Sequence, residues 1–113
     1  MAFLAPRATP GVESVSGQRI RRTISIDGKH GYLKARPLEG ASCLELLRVP
    51  DPRALLGILE RARRMFDLGA DPAEIARRLR HDPLLAAAVA RRPGLRVPGA
   101  WDGFELAVRA ILG

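Results

Sequence analysis

The chain has 113 residues, 47% of them hydrophobic and 27% charged, which suits one small folded domain and is short for two. Its net charge of +7 is compatible with nucleic-acid binding, but 17 Arg against 2 Lys can equally reflect the codon bias of a genome. The chain has one Trp, one Tyr and three Phe, and they are not interleaved with basic residues as a stacking platform for single-stranded nucleic acid requires.

Neither a disulfide, a metal site nor a membrane segment is expected from the sequence. The single cysteine, Cys43, lies among apolar residues, as a buried or edge strand residue does. His30 and His81 have no carboxylate or second histidine at ligand spacing. No apolar run approaches the roughly 18 residues of a membrane span, and the N-terminus does not resemble a signal peptide. We therefore expect a protein of the reduced cytoplasm, with no membrane partner.

Residues 12–49 form short runs of alternating polarity broken by Gly, Pro and Asp, which is typical of an antiparallel meander. The predicted strands are 12–16, 19–27, 31–38 and 42–49. Turns are predicted at Gly17, at Asp27–Gly28 and at Glu39–Gly40, with His30 inside the turn that runs from 27 to 31. The run 42–49 is nearly all apolar, which predicts a more central strand.

The second predicted strand has two different faces. Ile20, Ile24 and Ile26 share one face with Arg22, and the other face is polar, with Arg19, Arg21, Thr23 and Ser25. In the next strand Leu33 and Ala35 alternate in the same way with Tyr32, Lys34 and Arg36. One face of this sheet therefore needs a cover, and we expect the helical part of the chain to supply it.

Residues 51–91 show helical spacing, and three Asp-Pro pairs mark helix starts at Asp51, Asp71 and Asp82. Glu74 follows Asp71 by three residues, as in a capping box. The first helix carries an apolar stripe: Leu55, Ile58, Leu59, Ala62, Met65 and Phe66. The arginines on its other side fit an ordinary solvated face better than a phosphate contact.

The chain ends with a Pro-punctuated segment, 92–101, which predicts a linker, and then a helix that starts at Asp102. That helix has an apolar face with no later element to cover it: Phe104, Ala107, Val108 and Ile111. The residues alone provide no phosphate loop and no nucleophile with a nearby base. They predict a basic α+β domain cut from a longer chain.

Four stretches cover essentially the whole chain: FLAPRATPGVESV (3–15), RIRRTISIDGKHGYLKARP (19–37), MFDLGADPAEIARRLRHDPLL (65–85) and RPGLRVPGAWDGFELAVRAILG (92–113). They resemble the N-terminal part of the DNA-3-methyladenine glycosylase II family, which repairs alkylated DNA. The resemblance implies an α+β domain like half of the TATA-binding protein over 1–91, with its first strand missing. It also implies a linker over 92–101 and, over 102–113, the first helix of a helix-hairpin-helix catalytic domain.

For function, the resemblance implies base excision from duplex DNA, in which an alkylated base is flipped out and its N-glycosidic bond is hydrolysed without metal or cofactor. The catalytic aspartate and the helix-hairpin-helix of the family lie beyond these residues, so we expect this piece to be inactive alone. The alternatives are a stand-alone DNA-binding or interaction module, and part of a fusion between an adaptive-response regulator and a glycosylase. The exposed helix 102–113 could also drive a dimer.

No catalytic, cofactor or metal residue is assigned, but the resemblance points to two residues near the base pocket. Phe3 lines the pocket wall or belongs to the core, and Arg7 lies near the DNA-facing cleft or is an ordinary surface residue. Pro6 departs from the family's usual Ala, and a proline strains the interior of a helix.

Overall fold

The computed structural model describes residues 4–38, 41–49 and 51–112, without the side chains of 37, 38 and 41–47. The chain divides into two compact units, Met1–Leu55 and Leu56–Gly113. The first contains a sheet and the second contains helices, so the predicted α+β class is confirmed. The likeness to half of the TATA-binding protein stays a prediction.

The first unit is an antiparallel meander. A 3₁₀ helix, Ala5–Arg7, precedes four strands: β1 Glu13–Ser16, β2 Arg19–Ile26, β3 Lys29–Leu38 and β4 Ala41–Arg48. Each strand pairs with its neighbour in sequence, in the order β1-β2-β3-β4, and a second 3₁₀ helix follows at Pro52–Ala54. The strand predictions are confirmed within a few residues.

The turn between β2 and β3 is shorter than predicted. Asp27 and Gly28 have positive φ angles of 50° and 73°, as a two-residue hairpin turn requires, and Ile26 pairs directly with Lys29. His30 therefore lies in β3, where it pairs with Ser25, and its predicted place in the turn is wrong. The predicted turn at Glu39–Gly40 lies outside the described residues.

The two faces of the sheet follow the predicted alternation. The buried strand residues include Ile20, Arg22, Ile24, Leu33 and Ala35. The prediction of a more central position for the fourth strand is wrong, because β4 pairs with β3 alone and is an edge of the described sheet. Apolar residues on both sides of a strand report burial of its faces, and they do not report whether both of its backbone edges are paired. Cys43 lies in this strand, opposite Arg36.

The second unit contains the helices α1 Leu55–Met65, α2 Pro72–Leu79, α3 Pro83–Arg91 and α4 Gly103–Leu112, of which α1 begins at the last residue of the first unit. The Asp-Pro caps are confirmed: Asp71 accepts from the amides of Ala73 and Glu74, and Asp82 accepts from the amide of Leu84. Asp51 caps the 3₁₀ helix that precedes α1. The Glu74 carboxylate, however, binds Arg77 and Arg78 rather than completing a capping box. The predicted cap at Asp102 accepts from the Glu105 amide.

The apolar stripe of α1 is only partly buried. Ile58, Ala62 and Met65 are buried, whereas Leu55 and Leu59 remain 39% and 37% exposed. The helix ends at Met65, and Asp67 then adopts a positive φ of 52°. The helix is thus shorter than the apolar pattern that extends to Phe66.

Residues 92–101, predicted to be a linker, bind back to the end of α1. The Arg96 guanidinium donates to the carbonyls of Asp67 and Ala70, and the Gly99 amide donates to the Met65 carbonyl at 2.9 Å. Trp101 is buried, and the Arg61 guanidinium lies 5.8 Å from the centre of its ring. The segment is therefore fixed within the second unit, while the predicted boundaries at 91 and 102 stay a prediction about the parent protein.

An exposed ion pair joins the start of β3 to the second 3₁₀ helix. Lys29 Nζ donates to Asp51 Oδ2 at 2.7 Å, while Asp51 Oδ1 accepts from the Arg53 amide at 2.9 Å. The Lys29 hydrogen bond, with help from the Arg53 amide, holds the pKa of Asp51 below its ordinary 3.8. The same hydrogen bond raises the pKa of Lys29 above its ordinary 10.5.

We expect this ion pair to stabilise the fold at pH values between the lowered pKa of Asp51 and the raised pKa of Lys29. Its contribution is lost as the pH falls through the lowered pKa of Asp51, and lost again as the pH rises through the raised pKa of Lys29. Asp51→Asn keeps the capping oxygen and removes the ion pair, so it should lower the urea midpoint slightly at neutral pH. The difference from the unmodified chain should vanish in acid. A difference that persists unchanged into strong acid would contradict this assignment.

Candidate functional site

The candidate site is the N-terminal segment of the first unit, which carries the two residues that the sequence points to. Phe3 lies outside the described residues. Arg7 ends the first 3₁₀ helix, and its side chain is exposed. Pro6 is also in this short helix, near its first residues, where a missing amide hydrogen costs little. The strain expected of a proline inside an α-helix therefore does not arise.

Residues 9–13 form a closed turn after Arg7. The amides of Val12 and Glu13 both donate to the Thr9 carbonyl, at 3.0 and 2.7 Å. Gly11 has a φ of 79°, a conformation that favours glycine, and so allows the chain to reverse here. In return, the Thr9 amide donates to Glu13 Oε2 at 3.3 Å. The side chain of Glu13, the first residue of β1, thus binds the first residue of the turn, Thr9.

A buried ion pair holds this turn to the sheet. Glu13 and Arg22 face each other across β1 and β2, and Arg22 Nη1 lies 2.9 Å from Glu13 Oε1. Their side chains are 3% and 4% exposed for Arg22 and Glu13 respectively. Arg22 Nε also donates to the Thr23 carbonyl at 3.3 Å. Burial of each ion costs several kcal/mol, so the guanidinium is tolerated here because the carboxylate neutralises it.

Both oxygens of Glu13 are therefore in use, one on Arg22 and one on the Thr9 amide. A third link comes from the Thr23 amide, which donates to the Val12 carbonyl at 2.9 Å. These contacts hold the turn at residues 9–13, which begins two residues after Arg7, against β2.

Sequence reasoning placed Arg22 on the apolar face of its strand but did not find its partner. An arginine that shares one face of its strand with three isoleucines indicates a buried charge, and a buried charge requires an acid nearby. Glu13 lies in β1, directly opposite, so the hairpin register identifies it once the turn near Gly17 is fixed. Arg22 and Glu13 are the site residues that the sequence analysis missed.

Metal and membrane features can be stated for the described residues. In residues 4–38, 41–49 and 51–112, no group of three or more His, Cys, Asp or Glu side chains could hold a metal ion. Among the helices in these same ranges, none combines the length and apolar character needed to cross a membrane.

Comparison with known proteins decides the family. A sequence model of the AlkA N-terminal domain matches residues 1–102. The chain belongs to the AlkA N-terminal domain family. This confirms the resemblance to the DNA-3-methyladenine glycosylase II family that the four sequence stretches indicated.

Two kinds of relative are similar to this AlkA N-terminal domain. A probable bifunctional transcriptional activator/DNA repair enzyme AlkA, found in two strains of Mycobacterium tuberculosis, is 40% identical over 110 residues, which is 96% of this chain and 22% of the relative. DNA-3-methyladenine glycosylase 2 of Escherichia coli K12 is 33% identical over 114 residues, covering 100% of this chain and 38% of the relative. The chain thus spans between about a fifth and two fifths of these relatives.

We expect Glu13→Ala to destabilise this AlkA N-terminal domain by about 3–5 kcal/mol, because it leaves the Arg22 guanidinium buried without its carboxylate. Urea unfolding followed by circular dichroism measures the change. The matched control is the double variant Glu13→Leu/Arg22→Met, which removes both charges and should recover most of the loss. A single variant that loses less than about 1 kcal/mol would show that the pair does not hold the turn.

Proposed function

We propose that this chain is the non-catalytic N-terminal domain of a DNA glycosylase that excises 3-methyladenine and similar alkylated bases in base excision repair. The observation that carries the proposal is the family match over residues 1–102, together with a relative named DNA-3-methyladenine glycosylase 2 that aligns with the whole chain. The partner is duplex DNA with alkylated bases, and the setting is the cytoplasm.

The non-catalytic role is supported by what the carboxylates do. Asp51, Asp71, Asp82 and Asp102 accept from backbone amides at helix starts. Three glutamates form ion pairs with arginines: Glu13 with Arg22, Glu74 with Arg77 and Arg78, and Glu105 with Arg109. A carboxylate that stabilises positive charge on a sugar must face a DNA-accessible pocket instead. As the family resemblance implies, we assign the chemistry to a catalytic aspartate in a helix-hairpin-helix domain of the parent, with no metal or cofactor.

Within this chain, Phe3 and Arg7 are the residues we assign to the neighbourhood of the flipped base. Arg7 is exposed and lies two residues before the Thr9–Glu13 turn, which supports a place for it at the DNA-facing cleft. Phe3 precedes it by four residues and would supply the pocket wall.

A second candidate follows from the mycobacterial relatives, whose name joins a transcriptional activator to a DNA repair enzyme. Their identity to this chain, 40%, exceeds the 33% of the Escherichia coli glycosylase. This favours a parent in which a regulator precedes the glycosylase. Both candidates share the same role for this domain and differ in what the rest of the parent does.

Base release tests the proposal. The parent protein and the 113-residue chain are each incubated with a duplex that carries an alkylated purine. We expect release by the parent alone. Arg7→Ala in the parent should weaken release, whereas Arg80→Ala, an exposed arginine at the end of α2, should not. If neither protein released the base and the short chain bound duplex DNA tightly at physiological salt, a stand-alone binding module would replace the glycosylase.

The apolar face of α4 generates a further expectation. Phe104, Ile111 and Leu112 are 81%, 82% and 80% exposed. In the parent we assign this face to packing against the catalytic domain. In the isolated chain a second copy can cover it, which makes a symmetric dimer the expected association.

Sedimentation equilibrium of the isolated chain should therefore show a dimer that Phe104→Ser and Ile111→Ser weaken. Leu84→Ser is the matched control, since Leu84 on α3 is equally exposed but lies on another helix. A monomer at high concentration, or equal weakening by Leu84→Ser, would contradict dimerisation through α4.

A further inference from the structure

The last turn of α1 is completed by a residue from far along the chain. The amides that follow the helix, at 67 and 68, donate to carbonyls of its last turn at 3.1 and 2.8 Å, which is the Schellman arrangement that ends many helices. The carbonyl of Met65, the last helical residue, accepts instead from the Gly99 amide at 2.9 Å. A Cβ at residue 99 would lie 3.2 Å from the Arg64 carbonyl oxygen, so the segment 92–101 runs close against the helix here.

Asp67 holds the position at which such a turn usually has a glycine. Its φ is 52°, a conformation that is unfavourable for an ordinary L-residue and that glycine adopts freely. A glycine would offer no side chain, however, and here Asp67 Oδ2 accepts from the Val97 amide at 3.2 Å. The aspartate thus combines a less favourable backbone conformation with a specific contact to the segment 92–101. Such a combination points to a function for the contact.

Arg96 binds the same turn through its side chain. Its Nη1 donates to the carbonyl of Asp67 and, at 3.1 Å, to that of Ala70. A guanidinium donates in several directions in one plane, so it can bridge two carbonyls, and its positive charge is favourable beside the C-terminal end of a helix. Arg96 is half-buried, whereas Arg92 in the same segment is exposed. We call the contacts of Arg96, Val97 and Gly99 with residues 65–70 the clasp.

A second attachment joins α1 directly to the start of α4. The Arg61 guanidinium lies 5.8 Å from the centre of the Trp101 ring, and its Nη1 lies 4.0 Å from Asp102 Oδ2. Asp102 in turn accepts from the Glu105 amide at 2.9 Å and so caps α4. With the clasp at one end and Arg61 at the other, the segment between α3 and α4 is a rigid connection, and the end of α1 sets the place where α4 begins.

We propose that Arg96 and Asp67 are positioning residues for base excision by the parent, because the clasp holds the catalytic domain, which we take to begin at α4, on the helices of this chain. The reaction rests on the proposed function, whereas the clasp follows from the contacts. That function assigns Phe3 and Arg7 in this chain and an aspartate in the catalytic domain to one base, so their separation depends on the connection. A displacement of about 1 Å can cost about 100-fold in rate.

The first test measures the connection itself. Spin labels are attached to Leu56→Cys in α1 and Ala110→Cys in α4, both exposed positions, in a Cys43→Ser chain diluted with unlabelled protein. Double electron–electron resonance then gives the distribution of distances within one chain. We expect a narrow distribution that Arg96→Ala broadens. The matched control is Arg92→Ala, which removes the same charge from the same segment and should leave the distribution unchanged.

Asp67 supplies two variants with opposite expectations. Asp67→Asn keeps an oxygen that can accept from the Val97 amide and tolerates positive φ, so it should keep the narrow distribution. Asp67→Ala has no acceptor and disfavours this φ, so it should broaden the distribution as Arg96→Ala does. Circular dichroism melting verifies that each variant is folded, and the two Asp67 variants decide the test if Arg96→Ala does not fold.

The second test measures base release by the parent in a single turnover, with enzyme in saturating excess over a duplex that carries an alkylated purine. Arg96→Ala should lower the rate constant by about tenfold or more, because the reacting groups lose their fixed separation. Under these conditions the rate constant does not depend on the folded fraction of the enzyme, so a role in stability alone would leave it unchanged. Arg92→Ala and Asp67→Asn should release the base at the unmodified rate.

The outcomes separate this inference from the proposed function. The inference is overturned if Arg96→Ala leaves the distances narrow, if Arg92→Ala broadens them equally, or if Asp67→Ala behaves like Asp67→Asn. Base release by the parent at a rate constant that Arg96→Ala does not change removes the positioning role alone. If the unmodified parent releases no base while Arg96→Ala still broadens the distances, the glycosylase assignment fails, and the positioning role fails with it.

Discussion

A guanidinium on the buried face of a small sheet is the constraint around which the first unit is built. Arg22 is 3% exposed and would be strongly destabilising there without the Glu13 carboxylate. That requirement fixes the register of β1 on β2. It also fixes the turn that begins at Thr9, because the second carboxylate oxygen accepts from the Thr9 amide. Arg7 lies two residues before this turn, so the buried ion pair anchors the backbone next to an exposed cation.

The arginines on the two faces of β2 have different neighbours. Arg22 has a dedicated acid on the inside, whereas Arg21 faces Lys34 on the outside. The first arrangement is self-contained and explains folding. The second places two cations opposite each other in the register of β2 and β3.

Much of the local structure could be predicted from the sequence, because short-range chemistry dictates it. Alternating polarity located β2 and β3, Asp27–Gly28 located their turn, and the Asp-Pro pairs located the helix starts. The edge position of β4 was missed because apolar content does not report lateral pairing. The Glu13–Arg22 pair was missed because it joins residues on two strands, and the docking of Arg96 because it joins segments 26 and 29 residues apart. Phe3, the other predicted site residue, lies outside the described residues.

Amide hydrogen exchange tests most directly whether the ion pair locks the N-terminal turn. The amides of Glu13 and Thr23 donate to the Thr9 and Val12 carbonyls, so both report on the turn itself. The account predicts that they exchange only through global unfolding, as slowly as the amides of β2 and β3 that pair across the hairpin. Fast exchange of the Glu13 and Thr23 amides beside slow exchange in that hairpin would contradict it, because the turn would then open independently of the sheet.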